Sequence, residues 1–351
     1  MKKLTLDRFI NLALLLAGFV VLAYLLSYFS TLVVYAVVAV IISYLLDPLV
    51  SRIQAAGIDR TLGIVLTLSA VILIIVWIST NILPVVISEM IELASQLSIQ
   101  NIKEITQKIE QQLIERFAFL PQHFLSSNIT SALQGVVNLG KLQSVLGNII
   151  DIFTNIFWAA LVIPFATFFF LKDGTKIRRD ILRLVPNRYF ETTLGLIDKI
   201  ETRLGIYFRS VMLQSLIVAL ASWLGLAIVG LNNALSVGIA IGLANTIPYF
   251  GPIIGYILSI IVSIIEIGDF SLVLPCIIAI ALVQMLDTLI LQPTIFSHSA
   301  NMHPAAILFI IMIGAQLGGI LGMLFAIPVA TVIRITINQI SWSIHNFHVL
   351  S

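Results

Sequence analysis

Long blocks of apolar residues separated by short polar stretches run along most of the chain. A helix of about 20 apolar residues crosses the roughly 30 Å hydrocarbon core of a bilayer. Six blocks are uninterrupted and of about this length, which predicts six membrane-spanning helices. They lie near residues 9–29, 31–49, 62–83, 148–171, 208–230 and 271–292.

Two further apolar blocks are interrupted by helix-breaking residues. In block 234–267 the interruption contains Pro248, Gly251, Pro252 and Gly255. Proline has no N–H donor and glycine is flexible, so one continuous helix is disfavoured there. The pattern predicts a helix, a break and a second helix that returns.

The second interrupted block, 304–334, carries several glycines and then Pro328. Among these glycines, Gly318, Gly319 and Gly322 are the predicted hinge residues. A straight helix over this block would be about 46 Å long and would exceed the core. We therefore expect a hairpin with its tip near Gln316 to Gly319, with a single kinked span as the alternative. The predicted fold is all-α: a polytopic helical membrane protein with six full spans and two re-entrant hairpins, which the bilayer permits where they line a wet cavity.

Segment 84–147 is more polar than its neighbours and has a different periodicity. Apolar residues recur there every three or four positions, at Ile102, Ile105, Ile109, Leu113 and Phe117. This spacing indicates an amphipathic helix, so we predict an external helical arm. Its apolar face is expected to pack on the protein or on a neighbouring subunit, and we expect a homo-oligomer.

Composition supports the membrane class. Of 351 residues, 59% are hydrophobic and 10% are charged, against roughly 45–50% and 25% in soluble domains. The lipid bilayer is therefore the predicted surroundings. A net charge of +2 gives no reason to expect a nucleic-acid partner.

Basic residues concentrate in two places. They occur between the second and third spans and, most densely, in link 172–207. The positive-inside rule makes these links cytoplasmic, together with both termini of a protein in a bacterial inner membrane. The chain then divides into N-terminal spans 1–83, external arm 84–147, transport core 148–340 with its basic link, and cytoplasmic tail 341–351.

Catalytic and cofactor motifs are missing from the sequence. It contains no H-E-x-x-H, G-x-S-x-G or phosphate-binding loop motif, and its single cysteine, Cys276, lies in an apolar run. His298 and His303 have no carboxylate or thiol nearby in the sequence, so no metal site is predicted. We expect no enzyme and no cofactor, and an energy source other than ATP bound by this chain.

Asp287 is the ionisable residue that stands out, because it lies inside the sixth span close to Gln284. A charge at membrane depth costs at least about 2.5–3.5 kcal/mol on insertion scales. Such residues usually face a bundle interior or water, which makes Asp287 a candidate group for proton exchange or ion binding. The alternative is a hydrogen bond to a neighbouring helix or a position near the interface.

The break in block 234–267 is the second candidate site. Its sequence includes Asn245, Thr246, Pro248, Gly251 and Pro252. The ends of interrupted helices carry partial charges that bind ions or polar solute groups. A purely structural hairpin tip is the alternative.

These residues resemble the autoinducer-2 exporter family of bacterial membrane proteins. The similarity includes the run from Ile247 to Gly255, Gln284 and Asp287 followed by Pro293, and the pair His303-Pro304. It continues through the glycine-rich segment with Gln316, and an early pattern contains Asp47 and Arg60. The family commonly has glutamate then asparagine where this chain has Asp287 then Thr288. Members are described as exporters of autoinducer-2 or as sodium/proton antiporters.

The resemblance implies a secondary transporter that moves a small polar solute, such as autoinducer-2, or a cation. Its site would combine the 245–255 break, Asp287 and the 314–322 segment with Gln316. A proton-coupled sodium or other monovalent cation antiporter is the alternative within transport. A membrane scaffold that transports nothing is the alternative from another class.

The charge distribution predicts which loops face the cytoplasm. Segment 84–147 has four basic residues against five glutamates, whereas link 172–207 is strongly basic. In intact cells, an impermeant thiol reagent should label Ser98→Cys and should not label Thr175→Cys. External labelling of Thr175→Cys would contradict the predicted orientation.

Overall fold

The computed structural model describes residues 27–96, 140–293 and 303–347, together with a few positions between 17 and 25. Most of the first predicted span and residues 97–139 of the predicted arm lie outside this part. The described residues form helices and connecting turns without a strand, which confirms the all-α class. Seven helices are long and apolar enough to cross a membrane, so the chain is a polytopic helical membrane protein.

Nine α-helices and one π-helical turn make up the described chain. They are α1 Ser30–Ala55, α2 Arg60–Asn81, α3 Leu83–Gln96, α4 Gly140–Arg183, α5 Asn187–Val229, α6 Ala234–Ala244, α7 Phe250–Ile267, α8 Val273–Leu286, the π-turn Asp287–Leu291 and α9 Pro304–Phe347. The basic link 172–207 is therefore mostly helical, because α4 and α5 extend into it from either side.

Contacts divide the chain into two compact units. The first comprises residues 1–69 and 148–181, and the second comprises 70–147 and 182–351. In the first unit Arg60 joins the α1–α2 turn to α4. Its Nε and Nη2 donate to the Leu171 carbonyl at 3.1 and 2.8 Å, and Nη2 also lies 3.1 Å from Asp47 Oδ1. The Asp47 and Arg60 of the early sequence pattern are thus an ion pair.

In the second unit α5 packs against α6, α8 and α9. The core lies between α5, α6, α7 and α8, and contains Val218, Leu226, Ile241, Val262 and Ile280. Helix α6 approaches α5 closely because it presents glycine there. A Cβ on Gly238 would lie 2.7 Å from the backbone N of Trp223, and one on Gly242 would lie 2.8 Å from the Ser215 carbonyl. Small residues permit this approach of two backbones in membrane proteins.

The predicted helix, break and returning helix over 234–267 is present. Helices α6 and α7 are separated by residues 245–249, and a Cβ on Gly255 would lie 3.5 Å from Ile241 of the opposite helix. At the end of the hairpin opposite the break, Glu266 of α7 links the two helices. Its carboxylate accepts the backbone N–H groups of Asn232 and Asn233, just before α6, at 2.8 and 3.4 Å. Whether this hairpin re-enters the membrane stays a prediction.

Helix α9 reverses direction at the predicted tip. Gly318 and Gly319 have non-helical backbone angles, and Gly319 has φ +57°. Gly314 and Gly322 face each other across the turn, where a Cβ on either would overlap the carbonyl of the other. The 304–317 and 320–347 arms therefore lie against each other at the turn. Re-entry of this hairpin into the membrane stays a prediction.

The close contact between Gly314 and Gly322 predicts a large effect of adding one methyl group. Gly322→Ala should destabilise the protein by about 1–3 kcal/mol, since the neighbouring atom is backbone and cannot move aside like a side chain. Gly318→Ala is the matched control, because a Cβ there meets nothing within 4 Å. Thermal unfolding in detergent measures both, and equal stability of the two variants would contradict the close contact.

Candidate functional site

Asp287 is buried at the end of α8, where its carboxylate receives two hydrogen bonds. The residue is 2% exposed. Gln214 Nε2, on α5, donates to Oδ1 at 2.6 Å, and Gln292 Nε2 donates to Oδ2 at 3.0 Å. One bond thus joins two helices while the other comes from the same helix. Together they orient both carboxylate oxygens.

The π-turn explains how Gln292 reaches Asp287. In an α-helix each residue turns by about 100°, so residues five apart point about 140° away from each other. A π-turn pairs the N–H of residue i+5 with the carbonyl of residue i. The backbone N–H of Gln292 bonds the Asp287 carbonyl in this way, which brings the Gln292 side chain to the face of Asp287. Such turns occur frequently at functional sites.

The donors around Asp287 are neutral. Both are side-chain amides, and among the described residues no basic side chain lies within ion-pair distance of the carboxylate. A carboxylate offers about four lone-pair positions, of which these two bonds occupy two. The site can therefore accept further donors, a cation or a proton.

The tip of the α6–α7 hairpin contacts α5 at the residue that follows Gln214. Thr246 Oγ1 is 3.4 Å from Ser215 Oγ, and Ser215 directly follows Gln214 on α5. Asn245 is 8% exposed, and its Nδ2 has no hydrogen-bond partner among the described residues. A buried amide donor without a partner is costly, and such exceptions usually have a functional or solvent-related explanation.

The break itself is built from tight turns and a strained residue. Thr246 and Ile247 donate their N–H groups to carbonyls three residues back, at 3.2 and 3.0 Å. Pro248 follows in the break, and Tyr249 has φ +71°, which is uncommon for a residue with a side chain. Backbone strain of this kind concentrates at ligand sites and switch regions.

Gly251 and Pro252 lie in the first turn of α7. Proline is tolerated there because the first N–H groups of a helix have no partner within it. Gly251 lies against Asn245, since a Cβ on Gly251 would be 2.8 Å from the Asn245 Cβ. This contact fixes the position of the Asn245 Cβ, from which the side-chain amide extends.

The other predicted site residues are placed elsewhere. Gln284 donates to Thr288 Oγ1 at 3.0 Å on its own helix and makes no bond to Asp287. Gln316 is exposed on α9 before the Gly318–Gly319 turn. Gly255 is helical and packs against Ile280, while Gly322 supports the α9 turn. Asp287 and Thr246 thus contact neighbouring residues of α5, Gln214 and Ser215, and the described contacts do not bring in Gln284 or Gln316.

Gln214 and Gln292 were not among the residues predicted for the site. Gln214 is a polar residue in an apolar span and is 7% exposed. A polar residue at membrane depth is itself a sequence signal for a functional site, and it points to Gln214. Its pairing with Asp287, 73 residues away, could not be deduced from spacing. Gln292 lies five residues after Asp287, and in an ordinary α-helix its side chain would point away from that of Asp287. Among the described residues no group of three or more His, Cys, Asp or Glu could hold a metal ion.

Comparisons with known proteins point to transport. A family model described as AI-2E family transporter matches residues 9–342. YueF of Bacillus subtilis, whose name proposes a transport protein, is 29% identical over 315 residues, which cover 88% of this chain and 84% of YueF. PerM of Escherichia coli, whose name proposes a permease, is 28% identical over 338 residues, covering 93% of this chain and 91% of PerM. The chain therefore belongs to the AI-2E transporter family, as the resemblance in its own motifs predicted.

Proposed function

We propose that this protein is a secondary transporter that moves a small polar solute, of the autoinducer-2 kind, or a cation across the bacterial inner membrane. A role in membrane transport follows from its family and its apolar helices. The proposed site consists of Asp287, Gln214 and Gln292 with the 245–251 hairpin tip. In this proposal both termini face the cytoplasm.

The buried carboxylate of Asp287 is the observation that carries the proposal. Its cost in a membrane is repaid only in part by two neutral amide bonds, because each amide loses its own solvation as well. A transported group that donates hydrogen bonds or carries positive charge would complete the site. Its departure would leave the carboxylate incompletely compensated again and so favour rebinding.

The α6–α7 tip supplies a second face for the solute. The hydroxyls of Ser215 and Thr246 share one long hydrogen bond, so they retain both donor and acceptor capacity. Asn245 adds an unpartnered donor. A solute between Asp287 and Asn245 would therefore meet an acceptor on one side and a donor on the other.

Neutralising Asp287 tests its role. Asp287→Asn keeps the size of the side chain and removes the charge, so expression and thermal stability should stay close to wild type while solute flux falls to background. Asp287→Glu should retain part of the flux, because the acid is preserved. Flux is measured in proteoliposomes at matched protein content, with autoinducer-2 and labelled sodium as separate solutes.

Asp269→Asn is the matched control for that experiment. It is the same chemical change in the turn between α7 and α8, where Asp269 accepts the Ser271 N–H at 2.7 Å. Its flux should equal that of wild type. Wild-type flux from Asp287→Asn would remove Asp287 from the mechanism, and would indicate a hydrogen bond of the modest energy, about 0.6 kcal/mol, typical between membrane helices.

Proton-coupled antiport of a monovalent cation is the second candidate. It is favoured by the lack of a basic partner for Asp287 among the described residues, since one carboxylate could then bind a proton and a cation alternately.

A sodium gradient distinguishes this candidate from solute export. Proteoliposomes loaded with a pH-sensitive dye and sodium should acidify when diluted into sodium-free buffer, and Asp287→Asn should abolish the signal. Acidification that is unchanged by Asp287→Asn would assign the exchange to other residues. Solute flux without any sodium-dependent pH change would exclude antiport.

A further inference from the structure

The π-turn at the end of α8 requires a cause, because such turns are rare in helices. The chain is α-helical up to Leu286, the π-turn covers Asp287–Leu291, and Gln292 and Pro293 continue the helix. Three features of this helix could produce the turn. They are the burial of its side chains, the bond between Gln292 and Asp287, and the ring of Pro293.

Burial of side chains does not require the π-turn. Asp287 and Leu291 are both buried, at 2% and 8% exposed, and residues four apart lie within about 40° of each other on an ordinary α-helix. The bond from Gln284 Nε2 to Thr288 Oγ1 also joins residues four apart. These relations are compatible with an α-helix. The approach of Gln292 to Asp287, five residues apart, is the one that needs the wider turn.

Pro293 supplies a direct steric cause. In an α-helix the ring of a proline overlaps the carbonyl of the residue four positions earlier, and the proline has no N–H to bond that carbonyl. Here the carbonyl belongs to Leu289, which lies in the middle of the π-turn. Widening the turn by one residue takes this carbonyl out of the way of the ring, so the helix can continue as far as Pro293.

The effect of the ring reaches Asp287 through Gln292. In the π-turn the Gln292 backbone N–H bonds the Asp287 carbonyl, and its side-chain Nε2 donates to Asp287 Oδ2 at 3.0 Å. In an α-helix the Gln292 side chain would point about 140° away from Asp287. Of the two bonds to the carboxylate, that from Gln214 would then remain.

We propose that Pro293 is a positioning residue for the Asp287 site: its ring enforces the π-turn, and the π-turn brings the Gln292 amide to the carboxylate. Pro293 thereby sets how many donors hold the carboxylate when a transported group arrives. The inference rests on the proposed function in taking Asp287 as the acceptor for that group. The geometric link from Pro293 to Gln292 stands without any transported solute.

Disulfide formation between positions 287 and 292 reports the register of the turn. The native side chains are 3.0 Å apart, whereas the two Cα atoms of an α-helix would be about 8.7 Å apart, beyond the roughly 7 Å limit for a disulfide. In a Cys276→Ala background, the pair Asp287→Cys and Gln292→Cys should close under limiting oxidant. Adding Pro293→Ala should slow closure at least roughly tenfold, as measured by mass spectrometry.

Pro275→Ala is the matched control for this test. It is the same chemical change in the first turn of α8, where proline is tolerated, so closure should be as fast as in the parent pair. The pair also removes the hydrogen bond between Asp287 and Gln292, so closure reports the effect of Pro293 alone. A parent pair that does not close, or one whose rate Pro293→Ala leaves unchanged, would overturn the proposal.

A second measurement keeps Asp287 intact. Gln292→Ala should lower the midpoint of thermal unfolding in detergent, because the buried carboxylate loses a donor. In the Pro293→Ala background the same substitution should leave the midpoint unchanged, since Gln292 then points away. Equal lowering in both backgrounds would contradict the positioning role.

Pro293→Ser also removes the ring, and it replaces Pro293→Ala in both measurements if that variant does not fold. Neither measurement uses solute flux. The positioning role can therefore fail while Asp287 keeps its role in transport, and wild-type flux from Asp287→Asn would leave the register result intact.

Discussion

Hydrocarbon offers no hydrogen bonds, and this constraint explains most of the described structure. Every polar group at membrane depth must find its partner within the protein or in water that the protein encloses. The helices satisfy their own backbone, so the backbone groups that need other partners occur where helices stop or change register. Those places are the 245–249 break, the Gly318–Gly319 turn and the π-turn after Asp287. The π-turn forms part of the candidate site, and the break contacts α5 through Thr246, at the residue that follows Gln214.

The same constraint explains how the ends of the short helix α6 are treated differently. At its N-terminus two carboxylates, Glu89 and Glu266, accept backbone N–H groups of residues 232, 233 and 236. Negative charge there complements the helix dipole. At its C-terminus Asn245 keeps an unpartnered amide. The N-terminal end thus has carboxylate partners for three backbone N–H groups, and the C-terminal end retains hydrogen-bonding capacity at Asn245.

Much of the architecture could be predicted from the sequence because it depends on composition and on helix breakers. The all-α membrane class, the break near Pro248 and the turn at Gly318–Gly319 follow from apolar block lengths and from proline and glycine. The sequence also singled out Asp287 and Asn245 as candidate site residues, since polar residues are rare in such blocks, and their role stays a prediction. The partners were not predictable, because Gln214 meets Asp287 through tertiary packing and Gln292 does so through a local register change. Gln316 shows the opposite case: it suits a site by chemistry, but the described structure leaves it exposed.

The contact between Gly314 and Gly322 has a genetic consequence. In most packed pairs, an enlarged side chain on one helix can be accommodated by a smaller one opposite. Here each glycine is blocked by the carbonyl of the other, and every residue type carries that carbonyl. A harmful substitution at either position therefore has no compensating partner substitution across the contact. Suppressors of a Gly322 variant would have to change the turn itself, for instance by lengthening it, so that the two arms separate.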